Sequence, residues 1–260
     1  MWSVSKILNR SDGIDLIRGF RDLLFPPRCL ICNQFTLEAA SGDTSETNRS
    51  DICPACQEGF VSLPLARCDR CGRPFQTDIP SVHTCAACLQ KSPAFDQALA
   101  AGLFQDTLRA AIHDFKYNRR VGLARPLARF MARELTAPFY PPEADLILPV
   151  PLHWRRLRER GFNQALLLAK ALFPSWRDRI LLDLLVRIRW TEPQINFSGQ
   201  ERQRNVLYAF AVSRPEIVVD KSVILVDDVF TTGATANECA RVLKKAGAKS
   251  VLVLTLARVA

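Results

Sequence analysis

The stretch Val223-Ile-Leu-Val-Asp-Asp-Val-Phe-Thr-Thr-Gly-Ala-Thr235 decides the fold class of this 260-residue chain. Its first four residues are apolar and mostly β-branched, which is typical of a strand buried on both faces of a parallel sheet. Asp227 and Asp228 follow at the carboxyl end, where open α/β sheets bind their ligands. Apolar spacing then predicts a helix over residues 237–246. The stretch therefore predicts an α/β fold with a ligand site directly after residues 223–226.

The small residues between this strand and this helix suit a phosphate. Backbone N–H groups at a helix N-terminus converge on an anion, and the helix dipole stabilises it. Gly233 permits a positive φ and a close approach, and threonine hydroxyls add donors. Because the two aspartates repel a phosphate, we expect sugar hydroxyls or a bridging Mg²⁺ at them, and hence a phosphorylated sugar as ligand. The residues assigned to the phosphate are Thr231, Thr232, Gly233, Ala234 and Thr235.

Eight of the nine cysteines form four Cys-x-x-Cys pairs, which in a reducing compartment indicates zinc. Two such pairs complete a closed four-sulfur structural site without an open coordination position. If neighbouring Cys-x-x-Cys pairs share a zinc ion, the chain forms two zinc ribbons. The spacing alone also permits a crossed arrangement, in which pairs that are not neighbours share an ion. The ninth, Cys239, is expected to be a buried structural thiol. The predicted zinc ligands are Cys29, Cys32, Cys53 and Cys56 for one site, and Cys68, Cys71, Cys85 and Cys88 for the other.

Length and composition predict two domains. A chain that is 48% hydrophobic can bury one substantial core and still carry a small accessory module. We expect a zinc-binding domain over residues 1–92 and an α/β domain over residues 93–260. The apolar runs are too short to cross a bilayer and the amino terminus lacks the features of a secretory signal, so we expect a cytoplasmic protein without membrane insertion.

The net charge of +9 is concentrated in the middle of the chain. Residues 96–214 hold nineteen basic and eleven acidic side chains, which favours polyanions as ligands. A strand predicted over residues 145–150, central in the sheet, is followed by a loop that carries Arg155, Arg156, Arg158 and Arg160. Four arginines at the carboxyl end of a strand need an anion or open water. Lys116, flanked by aromatic residues, is a further candidate ligand contact.

The remaining elements follow from hydrophobic periodicity. Helices are expected over residues 14–24, 106–116, 123–135 and 162–172, and a flexible loop over residues 38–50. Further strands are expected over residues 97–104, 180–188, 209–212 and 250–256. Aromatic residues interleave with the central arginines and are interpreted either as stacking platforms for bases or as core: Phe115, Tyr117, Trp154 and Phe162.

The stretch at 223–235 closely resembles the phosphoribosyl pyrophosphate (PRPP) motif of type I phosphoribosyltransferases. In that family the acidic pair holds the ribose hydroxyls and the turn holds the 5′-phosphate. The resemblance therefore assigns ribose and Mg²⁺ to Asp227 and Asp228, and the 5′-phosphate to Thr231 to Thr235. It also implies a pyrophosphate loop, matched here by the four arginines, and a mobile flap around residues 191–205.

Together with the paired cysteines and the Arg-Gly-Phe-Asn-Gln sequence at 160–164, this motif resembles the ComF family over nearly the whole chain. Members of that family look like a double zinc ribbon fused to a phosphoribosyltransferase domain and are associated with natural competence. The resemblance implies a role in handling incoming single-stranded DNA, with a helicase or recombination-loading protein as a possible partner.

Two classes of function follow from these residues. In the first, the protein is a phosphoribosyltransferase in which PRPP and Mg²⁺ bind, the arginines hold the leaving pyrophosphate, and an acceptor nitrogen attacks the ribose. In the second, the same groups hold PRPP as a signal, or hold the backbone of single-stranded DNA, while the ribbons bind a protein partner.

Overall fold

The structure is a computed structural model that describes residues 24–36, 51–77, 79, 81–135, 143–191 and 199–260, and for residues 199, 200, 202 and 203 it describes the backbone alone. The predictions for residues 38–50, for nearly all of the helix over residues 14–24, and for residues 192–198 of the flap lie outside this range. Contacts divide the chain into two compact units, Met1–Gln57 and Glu58–Ala260. The domain boundary expected between residues 92 and 93 stays a prediction.

The first unit holds the first two Cys-x-x-Cys pairs. An antiparallel bridge joins Arg28 to Phe35, and the Cys29 N–H donates to the Gln34 carbonyl over 2.8 Å. The Leu30 N–H donates to Asp51, which ties the two halves of the module together at 2.9 Å. A short helix, α1 (Pro54–Glu58), follows at the second pair.

The second unit contains a four-stranded sheet in which every neighbouring pair is parallel. This confirms the predicted α/β fold class with a parallel sheet. Its strands are β3 (Gln97–Leu103), β4 (Leu146–Pro149), β7 (Ser222–Phe230) and β8 (Ser250–Arg258), in the spatial order β3-β8-β7-β4.

The other described elements surround this sheet in sequence. The helices are α2 (Ala86–Gln90), α3 (Asp106–Tyr117), α4 (Ala124–Glu134), α5 (Trp154–Arg160), α6 (Gln164–Leu172), α7 (Gly199–Val206) and α8 (Ala234–Lys245). Two small sheets pair β1 (Arg67–Cys68) with β2 (Val82–His83), and β5 (Leu185–Arg187) with β6 (Phe210–Val212). Single 3₁₀ turns occupy Val121–Leu123, Arg177–Arg179 and Pro215–Ile217.

The core confirms that β7 is a buried strand. Val223 and Leu225 pack in one cluster with Cys239 and Leu243 of α8, and all four are at most 2% exposed. Cys239 is therefore buried, as expected. On α6, Leu168 is fully buried, and the helix contacts both β4 and β7. Burying this apolar surface stabilises the sheet by about 25 cal/mol per Å².

The strand over residues 145–150 was expected in the centre of the sheet, which is wrong for the described residues. There β4 lies at the edge, and beyond it only a single bridge joins Ile147 to Ile180. Pro149 offers no N–H, so a continuous second partner strand is disfavoured. The strand expected over residues 180–188 is also shorter, since Leu185–Arg187 pairs antiparallel with β6 outside the main sheet.

Three boundaries near the candidate site differ from the predictions. β7 runs past Val226 to Phe230, because residues 227–230 still pair with β8 after β4 has ended. α8 begins at Ala234, earlier than residue 237. The expected arginine loop is helix α5: the His153 side chain caps its start by accepting from the Arg155 N–H at 3.3 Å, and Gly161 ends it with φ 83°.

Candidate functional site

The acidic pair lies on the part of β7 that extends beyond β4. Asp227 pairs in register with Thr255 of β8, whereas the last residue paired with β4 is Val226. The Asp228 N–H donates to the Asp227 carboxylate at 2.8 Å. Asp228 is 9% exposed. The pair therefore lies at the carboxyl end of the sheet and is largely buried.

Lys116 neutralises one of the two carboxylates. Its Nζ lies 2.8 Å from Asp228 Oδ1, and the two side chains are 18% and 13% exposed. The lysine comes from the last turn of α3, more than one hundred residues away in the sequence. The candidate ligand contact at Lys116 is thereby placed at the acidic pair.

The second carboxylate, Asp227, is harder to ionise than an exposed aspartate. Burial, and next the negative charge of Asp228, raise the pKa of Asp227 to about 7, although Lys116 and Arg187 act in the opposite direction. Arg187 of β5 is itself buried enough that its pKa is lowered, with the charge of Arg156 as the next cause. Two arginines and a lysine thus interact with the charges of the two carboxylates, which gives the site a surplus of positive charge.

Sequence reasoning did not assign Arg187 to the site. Its Nη2 donates to Thr191 Oγ1, and its Nε has no hydrogen-bond partner in the described part of the chain. In the sequence, the signal that could have pointed to Arg187 was a basic residue directly after the short apolar run Leu185-Val186. A buried donor without a partner is costly, so this guanidinium is suited to a ligand acceptor.

The turn after β7 has the geometry that its sequence predicts. Gly233 adopts φ 77°, and a Cβ at this position would lie 2.5 Å from the Phe230 ring, so only glycine fits without a shift. Thr232 Oγ1 accepts from the Ala234 N–H at 3.4 Å. α8 starts directly at this point, so its N-terminal amides and its dipole are directed at the turn.

The four arginines of α5 do not act as one group. Arg156 is partly buried, and burial lowers its pKa while the charge of Asp228 is among the effects that oppose this. Arg155 and Arg158 are exposed and lie over the Trp154 ring at 5.5 and 5.7 Å. Arg160 donates to Gln164 Oε1 at 3.0 Å. Arg156 is therefore close enough to the acidic pair to interact with the charge of Asp228.

The eight paired cysteines form two clusters with sequential pairing, so the crossed alternative is excluded. In each cluster the four sulfurs lie within 4.8 Å of one another, as a tetrahedral zinc ion requires. The clusters are Cys29, Cys32, Cys53 and Cys56, and Cys68, Cys71, Cys85 and Cys88.

Backbone N–H groups favour the thiolate form of one cysteine in each cluster. Burial opposes ionisation, yet hydrogen bonds from the backbone N–H groups of Cys53, Cys32 and Ile31 lower the pKa of Cys29 to about 6. At Cys68 burial acts in the same direction as at Cys29, and hydrogen bonds from the N–H groups of Cys71 and Cys85 lower the pKa to about 7. Thiolate is the form that binds zinc, so these donors favour the metal-binding form of Cys29 and Cys68, whereas burial raises the pKa of Cys56 and Cys88.

A cavity of about 600 Å³ lies between the second cysteine cluster and the turn. Its lining includes Cys71 and Cys88 of the cluster together with Thr231, Thr232 and Gly233 of the turn. The second cluster and the turn therefore border the same space. Separately, none of the helices within the described residues is long and apolar enough to cross a membrane.

Comparison with known proteins defines the class. Residues 20–89 match the double zinc ribbon domain, and residues 165–260 match the phosphoribosyl transferase domain. With the two four-cysteine clusters and the parallel sheet, these matches define a phosphoribosyltransferase-domain protein that carries two zinc sites.

The relatives identify the family. Competence protein F of Haemophilus influenzae is 35% identical over 216 residues, which cover 81% of this chain and 91% of that protein. DNA utilization protein YhgH of Escherichia coli K12 is 34% identical, with 80% and 90% covered. Competence protein ComFC of Bacillus subtilis is 29% identical, with 80% and 84% covered. The chain belongs to the ComF family, which confirms the resemblance drawn from its motifs.

Proposed function

We propose that this protein binds PRPP together with Mg²⁺ at the carboxyl end of β7. The observation that carries the proposal is the contiguous arrangement of the acidic pair and the glycine turn that opens α8. Asp227 and Asp228 accept hydrogen bonds from the ribose hydroxyls. The residues that bind the 5′-phosphate are Thr231, Thr232, Gly233, Ala234 and Thr235.

The surrounding charges support a polyanionic ligand. Lys116, Arg156 and Arg187 outnumber the two carboxylates, and a pyrophosphate group balances that surplus. Carboxylate oxygens are ligands that Mg²⁺ prefers, so the acidic pair also fits the metal. When bound, Mg²⁺ supplies neutralisation of the pyrophosphate charge. Lys116 already balances the charge of Asp228, which leaves little negative charge for Mg²⁺ alone. We therefore expect Mg²⁺ to bind together with the pyrophosphate of PRPP.

Binding of PRPP supports two activities. In a phosphoribosyltransferase, the bond from ribose C1 to the pyrophosphate oxygen breaks, and an acceptor nitrogen forms the new bond at C1. The protein then acts by holding the two reactants and by stabilising the departing pyrophosphate at Arg156 and Arg187. In a PRPP sensor the same contacts hold the ligand without turnover.

Calorimetry with Mg²⁺ and PRPP tests the binding proposal. The double variant Asp227→Asn with Asp228→Asn replaces both carboxylates by neutral amides and so removes the negative charge that holds the ribose hydroxyls and Mg²⁺. We therefore expect wild-type protein to bind PRPP and this variant to lose binding with its zinc content unchanged. Asp183→Asn is the matched control, because Asp183 is an exposed aspartate paired with Arg214 at 2.8 Å. Retained binding in the double variant refutes the assignment of the acidic pair.

Pyrophosphate release separates the two activities. The protein is incubated with PRPP, Mg²⁺ and a panel of nucleobases, nucleotides and single-stranded oligonucleotides. Release that depends on one acceptor supports the transferase, whereas PRPP binding without release from any member of the panel supports the sensor.

A role in natural competence, in the cytoplasm, is proposed from the names of the relatives, which are competence and DNA utilization proteins. One surface favours the handling of incoming single-stranded DNA. Trp154 is 57% exposed and carries Arg155 and Arg158 over its ring, and Tyr117 is 51% exposed with Arg160 over its ring at 5.1 Å. Phe115 is fully buried and belongs to the core. Exposed aromatic rings between cations suit stacked bases.

Salt dependence tests the DNA proposal. Affinity for a single-stranded oligonucleotide is measured across a range of salt concentrations. We expect a steep fall, and we expect Arg155→Ala or Arg158→Ala to reduce the slope by roughly one unit each. Binding that stays unchanged between low and moderate salt refutes the DNA proposal.

A helicase or recombination-loading protein is the proposed partner of the zinc ribbons.

A further inference from the structure

Arg258 is a buried cation whose nearest polar partner belongs to the second zinc cluster. It closes strand β8 and is 6% exposed. Its Nη1 donates to the Cys71 carbonyl at 2.7 Å, and its Nη2 lies 3.9 Å from Cys71 Sγ. In the described residues no carboxylate forms an ion pair with it. Burying an unpaired charge is costly, and four thiolates with one zinc carry a net charge of about −2 that offsets it.

The same side chain contacts Phe230, which directly precedes residues 231–235, the segment called the phosphate turn below. The Arg258 guanidinium lies 4.6 Å from the centre of the Phe230 ring, and the two residues pair in register between β7 and β8. The Phe230 ring in turn fills the space against Gly233, where a Cβ would lie only 2.5 Å from it. A continuous series of contacts therefore runs from Cys71 through Arg258 and Phe230 to Gly233.

A second series of contacts starts from the segment that follows Cys88. The Ala94 N–H donates to Asn237 Oδ1 at 2.7 Å, and the Asn237 N–H donates to the Gly233 carbonyl at 2.8 Å. Phe95 packs edge-on against the Phe230 ring, with their centres 5.9 Å apart. The turn is thus contacted by two routes, one from Cys71 of the second cluster and one from the segment that follows Cys88.

We propose that the second zinc site positions the phosphate turn, with Arg258 as the positioning residue that transmits the support. The inference rests on the proposed function in one respect, namely that the turn binds the 5′-phosphate of PRPP. It extends the role of the zinc from holding its own module together to setting the geometry of the ligand site.

Variants of Arg258 test this on the full chain. Arg258→Gln removes the charge, and Arg258→Lys keeps it. Arg179→Gln is the matched control, since Arg179 also donates to a backbone carbonyl, that of Ala144 at 2.8 Å, and lies over the Trp176 ring at 4.7 Å. Three quantities are measured on each protein: zinc per chain, affinity for PRPP with Mg²⁺, and amide hydrogen exchange over residues 230–237.

We expect Arg258→Gln to keep its zinc, to lose affinity for PRPP roughly tenfold, and to exchange faster over residues 230–237. Arg258→Lys recovers part of both changes, and Arg179→Gln behaves as wild type. Cys71→Ser, which lowers the zinc content by about one ion per chain, produces the same faster exchange. This variant decides the question if Arg258→Gln fails to fold.

Unchanged exchange over residues 230–237 in Arg258→Gln and in Cys71→Ser overturns the inference. Full PRPP affinity in a folded Arg258→Gln protein overturns it as well. If wild-type protein binds no PRPP, the proposed function fails by itself. Hydrogen exchange then still decides whether the zinc site supports the turn.

Discussion

Replacing Lys116 by methionine tests how the acidic pair is held. The methionine keeps the length and packing of the side chain and removes the cation that lies 2.8 Å from Asp228 Oδ1. Both partners are less than one fifth exposed, so the pair resembles a buried ion pair, whose disruption costs about 3–5 kcal/mol. Arg156 and Arg187 remain near the carboxylates and offset part of this cost. We therefore expect Lys116→Met to lower the free energy of unfolding by about 2–3 kcal/mol.

Urea denaturation with a double-mutant cycle measures this effect. Combining Lys116→Met with Asp228→Asn should give a coupling energy of about 1–2 kcal/mol, since the second change removes the charge that the first leaves unpaired. The control is Lys221→Met: Lys221 lies 3.5 Å from Asp145 with both side chains more than 40% exposed, and its loss should cost less than about 1 kcal/mol. Equal effects of the two lysine variants, or a coupling energy near zero, would refute the reasoning.

Three further predictions concern the turn, the acidic pair and the metals. Burial and the charge of Asp228 raise the pKa of Asp227 from 3.8 to about 7. The protonated side chain therefore contributes its full stability below pH 4, and this contribution is lost as the pH rises to about 7. Asp227→Asn should therefore raise the melting temperature at pH 8 more than at pH 5. Gly233→Ala should lower the melting temperature more than Gly161→Ala, because both glycines have positive φ but a Cβ meets the Phe230 ring at the first and open space at the second; equal shifts would contradict the close packing. A strong chelator should release about two zinc ions per chain, and a metal content near zero in freshly purified protein would contradict the two sites.

The acidic pair and the turn were predictable because their chemistry is contiguous in the sequence. Asp227 to Thr235 belong to one strand, one turn and one helix start, so hydrophobic pattern and residue type indicate the arrangement without knowledge of distant contacts. The zinc clusters were predictable for a similar reason, because each Cys-x-x-Cys pair brings two ligands together locally. The pairing of the pairs depends on tertiary contacts and needed the structure.

The cations of the site were harder to predict, since tertiary structure brings them together. Lys116 reaches Asp228 from the end of α3, and Arg187 approaches Asp227 from a small sheet outside the main one. Residues 155–160 were expected to form a loop after the strand, but the His153 cap and Gly161 give a helix, which leaves Arg155 and Arg158 at the surface and Arg156 partly buried. Charge density alone did not indicate which arginines lie close to the acidic pair.

A crystal structure of the protein soaked with PRPP and Mg²⁺ tests the central claim most directly. The account predicts density for the 5′-phosphate on the amides of Thr231 to Thr235, for the ribose hydroxyls at Asp227 and Asp228, and for the pyrophosphate beside Arg156 and Arg187. A well-ordered structure without ligand density in this site, at PRPP concentrations that saturate other phosphoribosyltransferases, would contradict it.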